Sequence, residues 1–468
     1  MLLLEAALML LPLAVSLIYG ESCSLSFVIS AAAAAAVGAA LKFFCRSDSK
    51  NLYTRDGLAI VALSWIGISL FGALPFVISG SIPSFIDAFF ETVSGFTTTG
   101  ASILTDVEAL SHGLLFWRSF THWVGGMGVL VFIMAVMEKT PERSVNILRA
   151  EMPGHNVDKL TPRASGTAKI LYYIYLALTV LETVLLLCGG MPLFDSIVHA
   201  LGTAGTGGFG IKADSIASYS HFCQWVITVF MLLFGVSFNM YYLLLIKRWR
   251  EVLKSNELKC YLGISLAAMI IVVLSIMPLY GSIADAVRLS AFQVSSIVTT
   301  TGYATADFDA WPSLAKAVLL ILMFFGGCMG STAGGLKMSR VTVLAQIARN
   351  DLRHALRPRE VSTVILNGRR VDAQGERQIL SYFALYIAVI GAVFLLISFE
   401  PFGIETNFSA TVSCVNNIGP GFGQVGPSLS YADYSAFSKL VLSFAMLLGR
   451  LEIYPLLLLL SPQLWTKR

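Results

Sequence analysis

The chain has 468 residues, of which 56% are hydrophobic and only 13% charged, with a mean hydropathy of +0.75. No single soluble core could bury so large an apolar fraction, so a soluble globular protein is excluded and a polytopic membrane protein expected. The formal net charge of +4 gains meaning only when the 32 Lys and Arg residues are placed along the chain.

Ten stretches have the roughly 20 apolar residues that a membrane span needs. They lie near 3–20, 24–44, 58–80, 115–137, 169–190, 222–246, 261–280, 313–345, 379–398 and 436–460. The opening MLLLEAALMLLPLAVSLIYG looks superficially like a signal peptide. It lacks a basic leader, carries Glu5 and runs straight into a second apolar stretch, so a retained membrane helix is expected. The seven cysteines (Cys23, Cys45, Cys188, Cys223, Cys260, Cys328, Cys414) are scattered without any CxxC pair, and read as small core residues. Neither a paired histidine motif nor a nucleotide-binding glycine loop is present, so the chain is expected not to be an enzyme, and to carry no organic cofactor and no nucleic acid.

Basic residues cluster at 42–55, 138–169, 247–259 and 337–377, whereas 81–114, 191–221, 282–312 and 399–435 are acidic. The positive-inside rule therefore puts both termini in the cytoplasm. The acidic side would also concentrate cations outside, although ordinary sorting accounts for most of the asymmetry.

Each acidic loop has a similar layout: IDAFFETVSGFTTTGAS, FDSIVHALGTAGTGGFG, ADAVRLSAFQVSSIVTTTGYA and IETNFSATVSCVNNIGPGFG. Aligning them stacks Gly100, Gly207, Gly302 and Gly419, each flanked by one span before and one after. The fold expected is all-α: two N-terminal transmembrane helices over 1–56, then four helix, pore-loop, helix repeats over 57–150, 151–259, 260–360 and 361–468. Helices of about 10–14 residues are too short to cross a bilayer, so each loop must re-enter where backbone lines a cavity. Asp87, Asp195, Asp285 and Glu405 suit helix N-termini, which leaves the partially negative C-termini facing the centre.

At TTTGAS (Thr97 to Ser102), TTTGYAT (Thr299 to Thr305), NNIGPGFG (Asn416 to Gly423) and LLGRLEIYPLLLLLSP (Leu447 to Pro462), the sequence resembles the Trk/Ktr/HKT superfamily of potassium transporters, closest to its bacterial TrkH/TrkG branch. The resemblance covers nearly the whole chain. It implies a potassium selectivity filter of backbone carbonyls at Thr98, Thr99, Gly100, Gly205, Thr206, Gly207, Thr300, Thr301, Gly302, Asn417, Ile418 and Gly419. The second copy (AGTGG) and the fourth (NNIGPG) depart from a fourfold-identical filter, which implies fewer equivalent ion sites. Gly100 stands where sodium-selective plant relatives carry serine, which favours potassium.

The eighth apolar stretch holds Gly326, Gly327, Gly330, Ser331, Thr332, Ala333, Gly334 and Gly335. Gly326, Gly330 and Gly334 recur every four residues, as in a close helix-packing face. The rival reading is an intramembrane loop, because so many glycines penalise a continuous helix; the resemblance implies a movable gate there. Arg450 lies inside the last apolar stretch, either paired with Glu452 or snorkelling, or, as the resemblance implies, in the pore beneath the filter. Arg118, Lys316 and Lys439 read as interfacial anchors.

The resemblance further implies a homodimer in the lipid bilayer of the bacterial inner membrane. Its cytoplasmic partner would be a TrkA-like NAD/ATP-binding subunit, met by the basic loops 138–169 and 337–377. Gated potassium uptake is the first functional expectation. Obligatory potassium/proton or potassium/sodium symport is the alternative, with Arg450 and Glu91 as relay candidates. A membrane sensor retaining a dead pore would leave the aligned glycines without a reason.

Overall fold

The computed structural model describes residues 1–44, 54–128, 164–360 and 362–465. It opens with α1 (Leu2–Leu8) and α2 (Leu10–Ile18), which meet at Met9, and α3 (Ser24–Phe44) packs along both. Next come α4 (Thr54–Gly72), α5 (Leu74–Ile78), the short α6 (Phe85–Phe96) and α7 (His112–Gly126). The second stretch runs α8 (Ala164–Cys188), short α9 (Leu193–Gly205), α10 (His221–Phe234), α11 (Phe238–Leu245) and α12 (Trp249–Lys254). The third has α13 (Asn256–Tyr280), short α14 (Ile283–Val298), α15 (Ser313–Leu322) and α16 (Met338–Leu356). The last has α17 (Ala373–Ile397), short α18 (Ile404–Asn416), α19 (Ala436–Arg450), α20 (Tyr454–Leu459) and α21 (Pro462–Trp465).

Helix α13 indicates which surface meets lipid. Its buried positions Tyr261, Ser265, Ala268, Val272 and Ile276 recur every three or four residues, as one helical face must. The opposite face exposes Leu262, Leu266, Ile270 and Leu274, up to 68% for the last. So continuous an apolar outer stripe is stable against hydrocarbon, not against water.

Five described helices are long and apolar enough to cross a membrane, or six if α10 and α11, bent by 91°, form one broken span. Ten continuous spans were expected, and the difference has a local cause. The stretch 222–246 breaks between Phe234 and Phe238, and 313–345 contains no helix between Leu322 and Met338. The stretch 436–460 breaks after Arg450, where Glu452 and Ile453 take positive φ of 54° and 69°. Helix α7 stops at Gly126, and from residue 129 on its predicted span lies outside the described residues, as do Cys45 and most of the basic loop 138–169.

Each short helix packs against long helices on two sides. Helix α6 contacts α4, α7 and α19; α9 contacts α7, α8 and α10; α14 contacts α10, α13 and α15; α18 contacts α17 and α19. Helix α6 thus meets α19 from the far end of the sequence. In the basic segment after α16, a two-residue hairpin pairs β1 (Ile365–Leu366) with β2 (Arg369–Arg370). Asn367 and Gly368 form its turn at φ of 49° and 79°, the Asn-Gly chemistry that tight hairpins favour.

Candidate functional site

The four short helices carry their acidic residues in the first turn, as the helix dipole favours, and each carboxylate is engaged. Asp87 pairs with Lys439 at 2.7 Å and Asp285 with Arg288 at 2.8 Å. Glu405 lies 3.4 Å from Lys316, and Asp195 accepts from the Tyr219 hydroxyl at 2.8 Å.

Their C-termini close in one way four times. The amides of Thr98, Thr206, Thr300 and Asn417 bond three residues back, to Gly95, Thr203, Ile297 and Cys414. The next amides, of Thr99, Gly207, Thr301 and Ile418, bond five residues back, to Ser94, Gly202, Ser296 and Ser413, at 2.8–2.9 Å. This is the bonding of a Schellman cap, and it needs a left-handed residue. Thr98, Thr206, Thr300 and Asn417 supply it at φ of 55–56°. A β-branched residue held there costs on the order of 1–3 kcal/mol, so the surroundings must impose it.

Two residues further on, Gly100, Gly208, Gly302 and Gly419 all have positive φ, from 78° to 103°. The predicted alignment used Gly207. Bonding and dihedrals instead make Gly207 the counterpart of Thr99 and put Gly208 beside Gly100, while Gly205 is the last residue of α9. Two consecutive glycines hid this register in the sequence. Only the backbone separates the two readings: Thr206 is left-handed two residues before Gly208, as Thr98 is before Gly100.

A Cβ on Gly100 would strike the Gly207 carbonyl oxygen, one on Gly208 that of Thr301, and one on Gly302 that of Ile418. A Cβ on Gly419 would lie 2.6 Å from the Thr99 oxygen. The contacts run from the first segment to the second, third and fourth, and back to the first. They form a ring in which each glycine seats against the neighbouring segment's carbonyl. Uncharged oxygen donors backed by four helix C-termini suit a cation that has shed its water.

Beneath this ring the Gly-rich segment is non-helical, so the helix-packing alternative falls. Gly334 N–H donates to the Thr300 hydroxyl at 2.7 Å, and Cys328 N–H to the Gly235 carbonyl at 2.8 Å. Phe238 N–H donates to the Gly330 carbonyl at 3.0 Å. The loop thereby spans from the ring to the break between α10 and α11. Arg450 donates to the carbonyls of Thr332 at 2.8 Å, Gly126 at 2.7 Å, and Gly125. Glu452 pairs with Arg340. Arg450, Gly126, Gly330, Gly334 and Lys337 are among the residues lining a cavity of about 80 Å³.

The interfacial-anchor reading of three basic residues is corrected. Arg118 is 2% exposed and pairs at 2.8 Å with the fully buried Glu91, which also accepts from Ser102 and the Ile103 amide. Lys439 and Lys316 bridge to the short helices that begin at Phe85 and Ile404. They were misread because hydropathy places a residue by depth and cannot see a carboxylate from a distant segment. Glu5 on α1, which the sequence reading used only against a signal peptide, and Glu182 on α8, which it passed over, are further buried carboxylates.

An apolar outer face around buried, converging helix C-termini defines a polytopic helical membrane protein. The chain belongs to the TrkH family of cation transport proteins, which matches residues 24–467. It is 35% identical over 463 residues to the Trk system potassium uptake protein TrkH of Salmonella typhimurium, covering 98% of this chain and 95% of the relative. It is 33% identical over 468 residues to the corresponding protein TrkG of Escherichia coli, again covering 98% and 95%. The crystal structure of the potassium transporter TrkH from Vibrio parahaemolyticus superposes with a TM-score of 0.89 at 32% identity, covering 99% of this chain and 97% of that one.

Proposed function

We propose that this chain takes up potassium across the bacterial inner membrane through a gated, potassium-selective pore at the centre of four helix, pore-loop, helix repeats. The repeats are 57–150, 151–259, 260–360 and 361–468, preceded by two membrane helices in 1–56, and both termini are cytoplasmic. The closed ring of glycine-to-carbonyl contacts carries this reading, since it brings backbone oxygens from four segments to one axis. The filter is Thr98–Gly100, Thr206–Gly208, Thr300–Gly302 and Asn417–Gly419. The relatives' printed names, potassium uptake proteins in each case, support potassium as the ion.

The segment Gly326–Gly335 is the gate and Arg450 its latch, a reading supported by the arginine's hydrogen bonds to Thr332 on one side and Gly125 and Gly126 on the other. The protein works as a homodimer with a cytoplasmic TrkA-like NAD/ATP-binding subunit. Exposed Arg349, Arg353, Arg357, Arg359, Arg369, Arg370 and Arg377 offer that partner a basic surface.

Obligatory symport with protons or sodium needs an ionisable relay in the conduction path. Glu91 is taken up by Arg118, and Glu5 and Glu182 sit on helices that contribute nothing to the ring. The test is flux of K⁺, Rb⁺, Na⁺ and Li⁺ into liposomes holding the purified chain, with and without a proton gradient. Passive K⁺ and Rb⁺ flux indifferent to that gradient is expected; flux that requires it would establish symport.

A further inference from the structure

The ring is fourfold in its backbone but not in what holds each strand behind it. In the first and third segments the ring residue is a threonine, and its hydroxyl bonds to the threonine two residues earlier: Thr97 to Thr99 and Thr299 to Thr301, both at 2.8 Å. In the fourth, the Asn417 side chain donates to the Thr99 hydroxyl and to the Met446 carbonyl, both at 2.9 Å. The second segment has Gly207 in the place of Thr99 and Thr301, with no side chain to make that bond, and the hydroxyl of Thr206, the counterpart of Asn417, turns back to the Gly205 carbonyl at 2.6 Å.

His122 occupies that space. The residue is wholly buried on α7, and its imidazole lies where a Gly207 side chain would begin, so a Cβ there would strike the ring. Nδ1 lies 2.7 Å from the Gly95 carbonyl oxygen, at the end of α6, and Nε2 accepts from the Phe209 amide at 3.3 Å. A carbonyl on one side and an N–H on the other fix the neutral Nδ1–H tautomer. One turn earlier, Arg118 donates to the Gly210 carbonyl at 3.2 Å and lies 4.0 Å over the Phe209 ring. Residues four apart on one helix face thus grip the strand just beyond its ring oxygen.

We propose that His122 is a positioning residue for cation discrimination: it supplies from the first segment the side chain that Gly207 lacks, and so fixes the Gly207 carbonyl in the ring. The inference rests on the pore reading above. It predicts that losing the imidazole changes which ion passes more than whether the protein folds. Asn retains a group near the Nδ1 position and Gln one near the Nε2 position, so the two variants separate the Gly95 contact from the Phe209 contact.

The experiment is the K⁺/Na⁺ permeability ratio, from bi-ionic reversal potentials of the full chain in planar bilayers, for wild type, H122F, H122Q and H122N, each checked for monodispersity in detergent. H122F should keep K⁺ current and lower the ratio by about fivefold, the scale of one lost buried hydrogen bond. H122Q should recover more of the ratio than H122N. An H122F ratio equal to wild type, or currents of all ions falling in proportion, would overturn the proposal. If H122F does not fold, the order of H122Q and H122N decides: Gln above Asn supports it, and equal ratios overturn it. A wild type without selective current would sink the pore reading and this inference together, whereas a selective wild type with an unaltered H122F sinks the inference alone.

Discussion

Three threonines and an asparagine sit in left-handed backbone at the ends of four helices, and that strain is the residue-scale signature of the site. Buried hydrogen bonds and close backbone contacts impose it, leaving each following glycine without room for a Cβ. Gly100→Ser should therefore displace the Gly207 oxygen and lower the K⁺/Na⁺ permeability ratio roughly tenfold, equivalent to about 1.4 kcal/mol of discrimination. Bi-ionic reversal potentials read this directly, and an unchanged ratio would mean the ring tolerates a side chain there. Behind the ring, Glu91 and Arg118 are desolvated together, so each is tolerable only because of the other.

At the scale of elements, the interruptions matter more than the helices. The segment between α15 and α16 hydrogen-bonds to the ring above it and to α11 beside it, and Arg450 ties it to the end of α7. Deleting Gly330 to Gly334 should raise K⁺ flux in liposomes without altering the K⁺/Na⁺ ratio; a folded variant with no flux would remove the gate reading. The N-terminal hairpin is held differently. Glu21, between α2 and α3, accepts from the first amides of α7, His112 at 2.6 Å and Gly113 at 3.0 Å, and acts as a cap supplied from outside the helix. Burial alone would raise its carboxyl, but these amide bonds together hold it below the ordinary 4.5. A depressed carboxylate contributes stability above its unfolded value and loses it as pH falls through the folded one. Thermal unfolding in detergent should accordingly weaken below about pH 4.5, and Glu21→Gln should remove that component at a cost of about 1 kcal/mol at neutral pH.

For the whole molecule, charge is sorted by side. The acidic residues that open the short helices are engaged at helix N-termini and in ion pairs such as Lys439–Asp87, whereas Arg349 and Arg353 of α16 and Arg369 and Arg370 of the hairpin are exposed. The hairpin is anchored rather than loose: Gln346 bonds Ile365 in both directions at 3.0 Å, and Asn367 accepts from Ser255 at 2.9 Å. It thus joins α16, which follows the Gly326–Gly335 segment, to the start of α13. Reversing its charge with R369E and R370E should leave liposome flux of the chain alone unchanged and weaken association with a TrkA-like subunit by at least about tenfold, read by salt-dependent pull-down or titration. Undiminished association would move the partner's footprint elsewhere.

The sequence by itself determined membrane residence, the four acidic, Gly-punctuated loops and the ring glycine in three of the four segments, Gly100, Gly302 and Gly419. These depend on composition, periodicity and local backbone preference, which a linear chain carries within a few residues. Tertiary structure decided where long apolar stretches break, because the apolar residues on either side of 235–237 and 451–453 carry the hydropathy through both breaks and hide them in the sequence. It also decided the register at Gly207 and Gly208, which adjacent glycines leave degenerate until the Gly207 carbonyl meets Gly100 and the Thr301 carbonyl meets Gly208. It placed Arg118, Lys439 and His122 inside, since burying a charge or an imidazole becomes favourable only once a distant carboxylate, carbonyl or amide is brought to meet it.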